Sequence, residues 1–540
     1  MKIVFITTEA VPFAKTGGLA DVCGSLPIEL ANLGHEVSVL MPAFHQIRDA
    51  GQAIVDTNIA LRVAMNGQDI SARLAKSKLP NSEVAVYFIN QPQLFDRPQL
   101  YGDQHGDYRD NALRFAFFSR ACLQAIDRLH GTVDVVHCND WQAGLVPAHM
   151  ATGLEPYAWM RTAASVLTIH NLAYQGTFPK TDLPLTGFDW DYFHARALEF
   201  YDQLNYLKTG IVFADAVTTV SARYAEEIQT PQHGCGLDGV LRDRAGDLFG
   251  IPNGIDNTIW NPTSDKHLVQ NFSAETWQEG KAANRAALQA AFGLRQDPDM
   301  PLIGLVGRLA EQKGWDLVIA AMRHFLEAGS TVQWVVLGTG DPRYHEALSN
   351  LAERHRDHLG LHLGFSDKLA HRIEAGADIF LMPSRYEPCG LNQLYSLKYG
   401  TVPVVNPTGG LADTVVDATP ENVAAGTATG FYLPTYDPAG LIDALSKALT
   451  LRAETPEKWV QIAQSGMSQD WSWGRSAARY EAVYEQTLAR KRAVSTHEGP
   501  QSKVRSRKNL GLGSVVKELH CRISPAAAVW LRWRYPNDSA

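Results

Sequence analysis

The sequence predicts an α/β protein made of two doubly wound domains, each with a parallel sheet, and three observations support this. Short β-branched runs alternate with helical stretches in the first half of the chain, and the alternation restarts after the polar stretch 261–266. The hexapeptide Thr-Gly-Gly-Leu-Ala-Asp occurs twice, at 16–21 and at 408–413. A chain of 540 residues also exceeds what one core usually supports, so two domains are expected.

In the first half, the predicted strands are short and apolar, as expected for strands buried on both faces of a sheet. Val-Ala-Val-Tyr-Phe-Ile at 84–89 is almost continuously apolar. Helical stretches between the strands would cover both faces of the sheet. The predicted strands are 2–7, 36–40, 84–89, 133–137, 165–169 and 216–220.

The second half repeats this order, and its predicted helices have apolar residues at helical spacing. Asp341-Pro342 is predicted to be an N-cap followed by proline at the first helical position. The predicted strands are 302–306, 332–337, 378–382 and 402–405, the predicted helices are 314–327, 342–357 and 389–399, and a last helix is predicted at 473–491.

The segment 495–540 is polar and basic and is interpreted as a mobile tail. Its cluster of Lys and Arg at 503–508 is typical of a solvated surface. Trp530 and Trp533 leave open the alternative of a docking patch.

Composition excludes several classes of function. A net charge of −8 and a pI near 6.1 argue against nucleic acid as a partner, because such binding needs a basic surface. No run of about 18 apolar residues is present, so no membrane span is expected. The apolar run at the N-terminus ends within a few residues and is read as a first strand rather than a signal peptide.

The six cysteines are scattered, which favours a reducing compartment and makes the cytoplasm the expected location. The pairs His137-Cys138 and His233-Gly-Cys235 lack partners at zinc spacing. No structural zinc is therefore predicted.

The two hexapeptides are interpreted as loops that hold a phosphate. Each follows a short apolar segment and enters a helical stretch. Paired glycines let the backbone approach an oxyanion, and a helix N-terminus adds N–H donors. Neither loop carries a full G-x-G-x-x-G or Walker pattern, so they do not by themselves indicate a dinucleotide or P-loop site.

Ligands of doubly wound sheets bind outside the carboxyl ends of the strands, so residues that follow predicted strands are the candidates for function. These residues are Lys15, Asp140, His170, Arg308, Lys313 and Glu387. Arg308 and Lys313 would suit a phosphate or diphosphate. The alternative is a surface salt-bridge arrangement with Glu311.

The other candidates also have structural alternatives. Glu387 would accept hydrogen bonds from sugar hydroxyls, or would be a charge at a helix N-terminus. His170 could be catalytic, or a hydrogen-bonded core residue that closes a strand. Asp140 could face a ligand, or cap the helix that starts at Trp141.

Seven motifs together resemble the bacterial glycogen synthase family, which comprises ADP-glucose-dependent starch and glycogen synthases. The resemblance runs collinearly from residue 1 to about 490. The motifs are Lys15-Thr-Gly-Gly-Leu-Ala-Asp-Val22, His137-Cys-Asn-Asp-Trp-Gln-Ala-Gly144, His170-Asn-Leu-Ala-Tyr-Gln-Gly176, Pro252-Asn-Gly-Ile-Asp256, Gly307-Arg-Leu-Ala-Glu-Gln-Lys-Gly314, Ser384-Arg-Tyr-Glu-Pro-Cys-Gly-Leu391 and Thr408-Gly-Gly-Leu-Ala-Asp-Thr414.

The resemblance implies a GT-B glycosyltransferase with two Rossmann-like domains facing a central cleft. The expected domains are 1–255 on the acceptor side and 256–470 on the donor side, with a helix at 471–494 that crosses back to the first domain. The tail 495–540 has no counterpart in the family.

The implied reaction transfers glucose from ADP-glucose to the non-reducing 4-hydroxyl of an α-1,4-glucan, with retention of configuration and release of ADP. ADP-glucose and glycogen would be the partners, with no cofactor and no metal. The resemblance leaves the oligomeric state open.

The resemblance also implies roles for individual residues. Lys15, Gly17 and Gly18 would bind the donor phosphates, and Arg308 and Lys313 would offset charge on the departing ADP. Glu387 would hold sugar hydroxyls, and His170 would lie beside the anomeric carbon. Further donor contacts would come from Phe365, Cys389, Gly390, Leu391, Asn392, Thr408, Gly409 and Gly410, and the sugar and acceptor side would include Glu9, Asp21, Asp140, Asn171 and Asn253.

No carboxylate pair is placed as in retaining hydrolases, so a front-face mechanism is expected, in which the diphosphate itself takes the acceptor proton. The chain departs from the family pattern at two positions. Phe365 stands where relatives often have tyrosine, and Asn392 stands where threonine is common, which bears on base and phosphate contacts respectively.

Three alternatives remain open at this point. One is a UDP-glucose-using GT-B enzyme, such as a sucrose-type synthase. Another is a glucan phosphorylase, but no motif for lysine-bound pyridoxal phosphate is found. The third is a catalytically idle glucan-binding scaffold, which would be expected to have lost Lys15, Arg308, Lys313 or Glu387, and all four are present.

Overall fold

The computed structural model describes residues 1–329 and 332–497, which form two compact units. Unit 1 contains Met1–Thr218, Glu226–Phe249 and, of the described residues that follow, 478–497, and unit 2 contains Thr219–Ala225 and Gly250–Ala477. The sequence placed the boundary at 255/256, a few residues after the chain enters unit 2. The predicted tail 495–540 lies outside the described residues, apart from 495–497.

Unit 1 is built on a nine-stranded sheet with the order β14-β13-β9-β8-β1-β2-β5-β4-β3. Neighbours from β9 to β5 in this order are parallel. Its strands are β1 (Lys2–Ile6), β2 (Glu36–Pro42), β3 (Val55–Met65), β4 (Gln68–Lys78), β5 (Ala85–Asn90), β8 (Val135–Asn139), β9 (Ala164–Ile169), β13 (Ala216–Thr219) and β14 (Leu248–Gly250), and two small sheets contain β6 (Gly102–Asp103), β7 (Gly106–Asp107), β10 (Thr177–Pro179), β11 (Glu199–Phe200) and β12 (Gln203–Asn205).

The helices of the first half of the chain connect these strands. They are α1 (Gly18–Asn32), α2 (Pro92–Phe95), α3 (Asn111–His130), α4 (Leu145–Thr152), α5 (Leu183–Thr186), α6 (Tyr206–Phe213), α7 (Ala222–Glu227) and α8 (Asp238–Asp243). Short 3₁₀ turns lie at His45–Asp49, Trp141–Ala143, Ala158–Arg161, Lys180–Asp182, Trp190–Tyr192 and Ala245–Asp247.

The predicted all-parallel sheet is wrong at one edge of unit 1, where β3, β4 and β5 pair antiparallel. Strands β3 and β4 were not predicted from the sequence. Side chains near the end of β3 alternate between buried and exposed, since only one face of this edge is covered. This alternation is weaker than the continuous apolar runs on which the strand predictions were based.

Unit 2 has a six-stranded, all-parallel sheet with the order β17-β16-β15-β18-β19-β20. Its strands are β15 (Leu302–Val306), β16 (Gln333–Gly338), β17 (Leu359–Leu363), β18 (Ile379–Met382), β19 (Val402–Val405) and β20 (Phe431–Tyr432). The four predicted strands of this half are confirmed, and β17 and β20 were overlooked.

The helices of unit 2 lie on both faces of its sheet, where apolar side chains form two buried clusters. They are α9 (Trp277–Ala291), α10 (Trp315–Glu327), α11 (Pro342–Arg354), α12 (Asp367–Gly376), α13 (Asn392–Lys398), α14 (Gly409–Thr414), α15 (Pro420–Ala425), α16 (Pro438–Glu454) and α17 (Pro456–Met467), with a 3₁₀ turn at Glu311–Lys313. Asp341 caps α11 as predicted, because its Oδ1 accepts the Arg343 N–H at 2.9 Å.

The last described helix is α18 (Trp473–His497). Within unit 1, its Tyr484 hydroxyl lies 2.7 Å from Nδ1 of His137 on β8, and its Lys491 pairs with Asp215 at 2.7 Å. These contacts attach the C-terminal part of the helix to the sheet of unit 1. Of the described helices, none has the length and apolarity needed to cross a bilayer.

Candidate functional site

In unit 1, the predicted site residues gather at the carboxyl ends of β1, β8 and β9, which are adjacent in the sheet. Glu9 follows β1, Asp140 follows β8 and His170 follows β9. The strand order reverses at β1, because β2 lies on one side of it and β8 on the other, which makes this edge a topological switch point. The sequence prediction that these residues share one edge is consistent with this arrangement.

Glu9 organises the first hexapeptide loop. Its buried carboxylate accepts hydrogen bonds from the Thr16 N–H at 2.6 Å, the Thr16 hydroxyl at 2.6 Å and the Gly17 N–H at 3.1 Å. The Tyr101 hydroxyl donates to it at 2.8 Å. The Gly17 amide, expected to bind a phosphate, therefore has a protein partner in this structure and would have to exchange it to contact an anion.

Lys15, Gly17 and Gly18 are exposed at the start of α1. Gly18 is the first residue of the helix, and Gly17 occupies the N-cap position without a side-chain hydrogen bond. Lys15 pairs with Asp21 in the first turn at 2.7 Å. An exposed ion pair of this kind contributes little to stability, so Lys15 can exchange its partner for a ligand at small cost.

Asp140 follows β8, and its side chain hydrogen-bonds to the loop that follows β9. It occupies the N-cap position before the 3₁₀ turn at Trp141, but its side chain makes no capping hydrogen bond. Instead, its Oδ1 accepts the backbone N–H of His170 at 2.8 Å, and the Asn171 backbone also donates to it. The capping alternative is therefore wrong, and Asp140 fixes the position of the His170 loop.

The His170 ring is oriented by Asn139. Its Nε2 lies 2.9 Å from Oδ1 of Asn139, whose Nδ2 donates to the Ile6 and His137 carbonyls. This assignment of the amide makes Oδ1 an acceptor, so Nε2 of His170 carries the proton. The neutral ring then has a lone pair on Nδ1.

Burial shifts the pKa values of Asp140 and His170 in opposite directions. Burial raises the pKa of the Asp140 carboxyl to about 7, and the charge of Glu9 adds to this, although the His170 and Asn171 amides act against it. Burial lowers the pKa of His170 to about 3. His170 is therefore neutral in the folded protein at neutral pH.

Because three buried histidines have lowered pKa values, we expect the free energy of unfolding to decrease in acid. Burial lowers the pKa of His137, His149 and His170 to about 3, whereas an unfolded histidine binds a proton near pH 6.5. The unfolded chain thus gains protons that the fold excludes as pH falls from about 6.5 towards 3. Asp140 acts in the opposite direction between about pH 7 and 4, because its protonated form is favoured in the fold.

Glu374, whose pKa burial raises well above its usual range, acts like Asp140, and His130, whose pKa burial lowers, acts like the other histidines. Because the histidines outnumber these two carboxyls, we expect the free energy of unfolding to fall by on the order of 1 kcal/mol between pH 7 and pH 5. Urea unfolding followed by tryptophan fluorescence at both pH values measures this difference. An unchanged or higher urea midpoint at pH 5 would show that these histidines bind protons in the folded state.

In unit 2, the strand order reverses at β15, which has β16 on one side and β18 on the other, and the loops that follow β15 and β18 contact each other. Lys313 follows β15, and its Nζ lies 2.5 Å from Oε2 of Glu387, which follows β18. The Ser384 hydroxyl donates to the same oxygen at 2.9 Å. Glu387 has a side-chain exposure of 8%, so this ion pair is largely desolvated.

This arrangement decides between the alternatives for Lys313 and for Glu387. Glu311 pairs with Arg385 at 3.4 Å, so the proposed pairing of Lys313 with Glu311 is wrong. Glu387 is several residues before α13, which begins at Asn392, so its reading as a charge at that helix N-terminus is also wrong. Arg308 lies at the end of β15, with Nη2 3.5 Å from Oε1 of Gln312.

The second hexapeptide packs against the Glu387 loop. Gly410 donates its N–H to the Glu387 carbonyl at 3.0 Å. Gly409 has φ +47, and a Cβ there would lie 2.0 Å from the same carbonyl oxygen. These glycines therefore allow close backbone packing, and a phosphate contact by the Gly410 amide would require it to change partner.

The two hexapeptides differ further at their last residue. Asp21 pairs with Lys15, whereas Asp413 accepts the Ser221 hydroxyl at 2.7 Å and the Arg223 N–H at 3.1 Å. Asp413 thus fixes the segment that leads into α7. Identical sequence in the two loops does not give identical contacts, because the segments packed against them differ.

The remaining predicted donor residues surround the Lys313–Glu387 pair or follow the next strands. Asn392 donates from Nδ2 to the Val306 carbonyl at 2.8 Å, which ties α13 to the end of β15. Phe365 follows β17 and is 85% exposed. Cys389 is buried, Gly390 has φ +70, Leu391 is the N-cap of α13, and Thr408 is the N-cap of α14.

Asn253 was predicted within the first domain but belongs to unit 2. It is 5% exposed, and its Oδ1 has no hydrogen-bond partner among the described residues. Burial raises the pKa of the nearby Cys389 thiol to about 12, although the Asn253 backbone N–H acts against this. Asn253 therefore lies beside the Glu387 loop.

Sequence reasoning assigned no role to four residues that shape these sites. They are Tyr101, Asn139, Ser384 and Gln312, which contact Glu9, His170, Glu387 and Arg308 respectively. Asn139, Gln312 and Ser384 lie inside the recognised motifs, and this position could have marked them as candidate site residues. Tyr101 lies in a loop far from any motif, and nothing in the sequence marks it.

Two family models match the chain, a starch synthase catalytic domain over residues 2–243 and glycosyl transferases group 1 over residues 289–466. The chain is 54% identical to the glycogen synthase of Rhodopirellula baltica over 498 residues, which is 91% of this chain and 98% of that protein. The chain belongs to the glycogen synthase family. Within this family it is also 49% identical over 492 residues to the glycogen synthase of Anaeromyxobacter dehalogenans, which covers 91% of this chain and all of that protein.

Solved structures agree with this family assignment. The catalytic domain of starch synthase IV from Arabidopsis thaliana, bound to ADP and acarbose, matches with a TM-score of 0.83 and 32% identity, over 90% of this chain and 99% of that one. Sucrose-phosphate synthase from Thermosynechococcus elongatus matches with a TM-score of 0.56 at 17% identity, a likeness of fold alone. The chain is thus a glycosyltransferase with two Rossmann-like domains, of the GT-B fold class.

Proposed function

We propose that this protein is a glycogen synthase that transfers glucose from ADP-glucose to the non-reducing 4-hydroxyl of an α-1,4-glucan, with retention of configuration and release of ADP. The observation that carries the proposal is the 54% identity to a glycogen synthase over 98% of its length. Support for ADP as the nucleotide comes from the ADP-bound starch synthase IV, which is 32% identical to this chain.

In unit 2, we assign donor binding to the switch point of the sheet. Arg308 and Lys313 leave the carboxyl end of β15, where cations would stabilise the negative charge that develops on a departing diphosphate. Glu387 holds the Lys313 ammonium at 2.5 Å and has lone pairs left to accept sugar hydroxyls. Exposed Phe365 would stack on the adenine.

In unit 1, we assign Lys15 and the start of α1 to the donor phosphates, and His170 and Asp140 to the sugar. The neutral His170 ring keeps a second positive charge away from an oxocarbenium-like transition state, which itself carries positive charge. Asp140 positions His170 through the backbone rather than through direct contact with its ring.

A front-face mechanism fits the hydrogen bonding of the carboxylates. Glu9, Asp140 and Glu387 each accept at least two hydrogen bonds from protein groups, so each is engaged in positioning other residues. In the proposed step, the acceptor O4 bonds to C1 of the glucose while the bond from C1 to the diphosphate oxygen breaks. The proton of the 4-hydroxyl passes to that diphosphate oxygen, so no cofactor is needed.

Extension of maltoheptaose by the purified protein tests the proposed reaction. We expect products longer by single glucose units, one ADP released per glucose added, and complete digestion of the new linkages by β-amylase. Products that resist β-amylase would contradict the linkage, and a glucosylated enzyme peptide found by mass spectrometry would contradict the front-face step.

The exposed ring of Phe365 gives a prediction for donor binding. We expect Phe365→Ala to raise KM for ADP-glucose by about tenfold with little change in kcat, because base stacking is worth about 1–3 kcal/mol. Phe365→Tyr should restore the wild-type KM, and Ile259→Ala, which removes another exposed apolar side chain of unit 2, should leave KM unchanged. A normal KM in Phe365→Ala would remove this residue from the donor site.

We propose that the reaction takes place in the cytoplasm. The five described cysteines, Cys23, Cys122, Cys138, Cys235 and Cys389, are all free thiols. Unpaired cysteines are typical of reducing compartments, which supports this location.

A further inference from the structure

A cluster of two histidines and one aspartate lies in unit 2. One ligating atom each from His267, Asp367 and His371 lies within 4.8 Å of the others. The Asp367 carboxylate is 3.7 Å from Nε2 of His267 and 3.9 Å from Nε2 of His371. This cluster could not be predicted from the sequence, because His267 is 100 residues before Asp367 in the chain.

The buried histidine of the cluster has one ring nitrogen without a partner. His371 is 1% exposed, and its Nε2 has no hydrogen-bond partner among the described residues. Its Nδ1 lies 2.6 Å from Oδ2 of Asp265, which also accepts the Tyr399 hydroxyl at 2.7 Å. A carboxylate at this distance keeps the proton on Nδ1, so Nε2 presents its lone pair to the cluster.

This is the hydrogen-bond pattern of metal-ligating histidines, which usually donate their second ring nitrogen to a carboxylate. The ring is also held in place by stacking on Trp260, with ring centroids 3.7 Å apart. A buried, unpaired imidazole nitrogen is costly unless a ligand satisfies it. The position of His371 is therefore set before any ion binds.

The other two ligands are Asp367, which is part of α12, and His267, which is held against α12. Asp367 is the first residue of this helix and His371 lies one turn later on the same face, an i, i+4 pair. His267 lies in the segment before α9, and its carbonyl accepts the Arg372 Nε at 3.0 Å, which holds it against α12. All three ligands thus converge at the N-terminus of one helix.

We propose that His267, Asp367 and His371 bind a divalent transition-metal ion of the zinc type. Two imidazole nitrogens and one carboxylate suit zinc, whereas magnesium prefers oxygen ligands. Ligands about 2.1 Å from a tetrahedral zinc are about 3.4 Å apart, so the cluster must contract modestly. Asp367, with a side chain 63% exposed, has the freedom to do this and leaves the fourth position to water.

Metal binding would couple to the loop that precedes α12. Ser366 caps this helix through the Leu369 N–H, and Phe365 is the residue before it. An ion that joins the first turn of α12 to the His267 segment would therefore stabilise unit 2 next to Phe365. This consequence does not depend on the reaction that the protein catalyses.

Titration of the untagged full chain, stripped of metal with a chelator, tests the proposal. We expect calorimetry to show one zinc bound per chain, and cobalt(II) to give the intense visible bands of tetrahedral coordination. Asp367→Asn and His267→Gln should each weaken zinc binding about tenfold or more, because each removes a ligand. Asp357→Asn, a matched change at another exposed aspartate of unit 2, should bind like wild type.

Thermal unfolding gives an independent readout. Zinc should raise the Tm of the wild type and of Asp357→Asn, and it should raise the Tm of Asp367→Asn much less. The absence of stoichiometric zinc binding would overturn the proposal, and so would equal zinc affinity in wild type, Asp367→Asn and His267→Gln. His371 is not substituted, because its ring packs in the core of unit 2.

Discussion

Glu387→Gln should reduce glucose transfer from ADP-glucose by about 10²- to 10³-fold, the scale expected when a buried polar group that acts in the transition state is lost. The substitution removes the charge that holds the Lys313 ammonium at 2.5 Å in a desolvated position. It also weakens the acceptor proposed for the sugar hydroxyls. We expect the loss mainly in kcat, measured as initial rates at saturating donor.

The partner and a matched control sharpen this test. Lys313→Met should cause a loss of similar size, and the double variant should lose much less than the product of the two single losses, since the two side chains act as a pair. Glu311→Gln, which removes an exposed carboxylate from the same turn as Lys313, should keep nearly full activity. Full additivity of the two losses would contradict the paired role.

Gly409→Ala should destabilise unit 2 by about 3 kcal/mol or more. The new Cβ would lie 2.0 Å from the Glu387 carbonyl oxygen, and the backbone there has φ +47. The corresponding change in the first hexapeptide, Gly17→Ala, should leave stability nearly unchanged, because its Cβ meets no atom within 4 Å and its φ is −159. Urea unfolding of both variants beside the wild type measures the difference.

Because the two hexapeptides have the same sequence, a difference in stability between Gly409→Ala and Gly17→Ala must come from the different packing of the two loops. An equal loss of stability in both variants would mean that the two glycines have equivalent surroundings, which would contradict the different contacts of the two loops. If Gly409→Ala kept wild-type stability, the close packing of α14 on the Glu387 loop would be wrong. Activity loss in Gly17→Ala with normal stability would agree with the proposed role of that loop in phosphate binding.

Most strands of the two main sheets, and the residues that follow their carboxyl ends, could be predicted from the sequence. Continuous apolar runs such as 302–306 indicate strands buried on both faces, and side chains that follow such strands share one edge. The pairing of β15 with β18 therefore brings the Lys313 and Glu387 loops together. Strands β3 and β4, at one side of the sheet of unit 1, were not predicted because only one of their faces is covered.

The hydrogen-bond and ion-pair partners of the site residues could not be predicted from the sequence, because they depend on tertiary contacts between distant segments. Spacing alone left Glu311 as an equal alternative partner for Arg308 and Lys313, but Glu311 pairs with Arg385 and Lys313 pairs with Glu387. The two identical hexapeptides looked alike, yet one packs on Glu9 and the other on the Glu387 loop. The cluster around His371 likewise forms only in the folded chain.

The central claim is synthesis of glycogen from ADP-glucose, and the most direct measurement compares initial rates of labelled glucose incorporation into glycogen from ADP-glucose and from UDP-glucose. We expect a kcat/KM for ADP-glucose at least about tenfold above that for UDP-glucose, equivalent to 1.4 kcal/mol of discrimination, and loss of the activity in Glu387→Gln. Equal or faster incorporation from UDP-glucose would contradict the proposed donor. No incorporation from either sugar by the folded protein would contradict the proposed reaction.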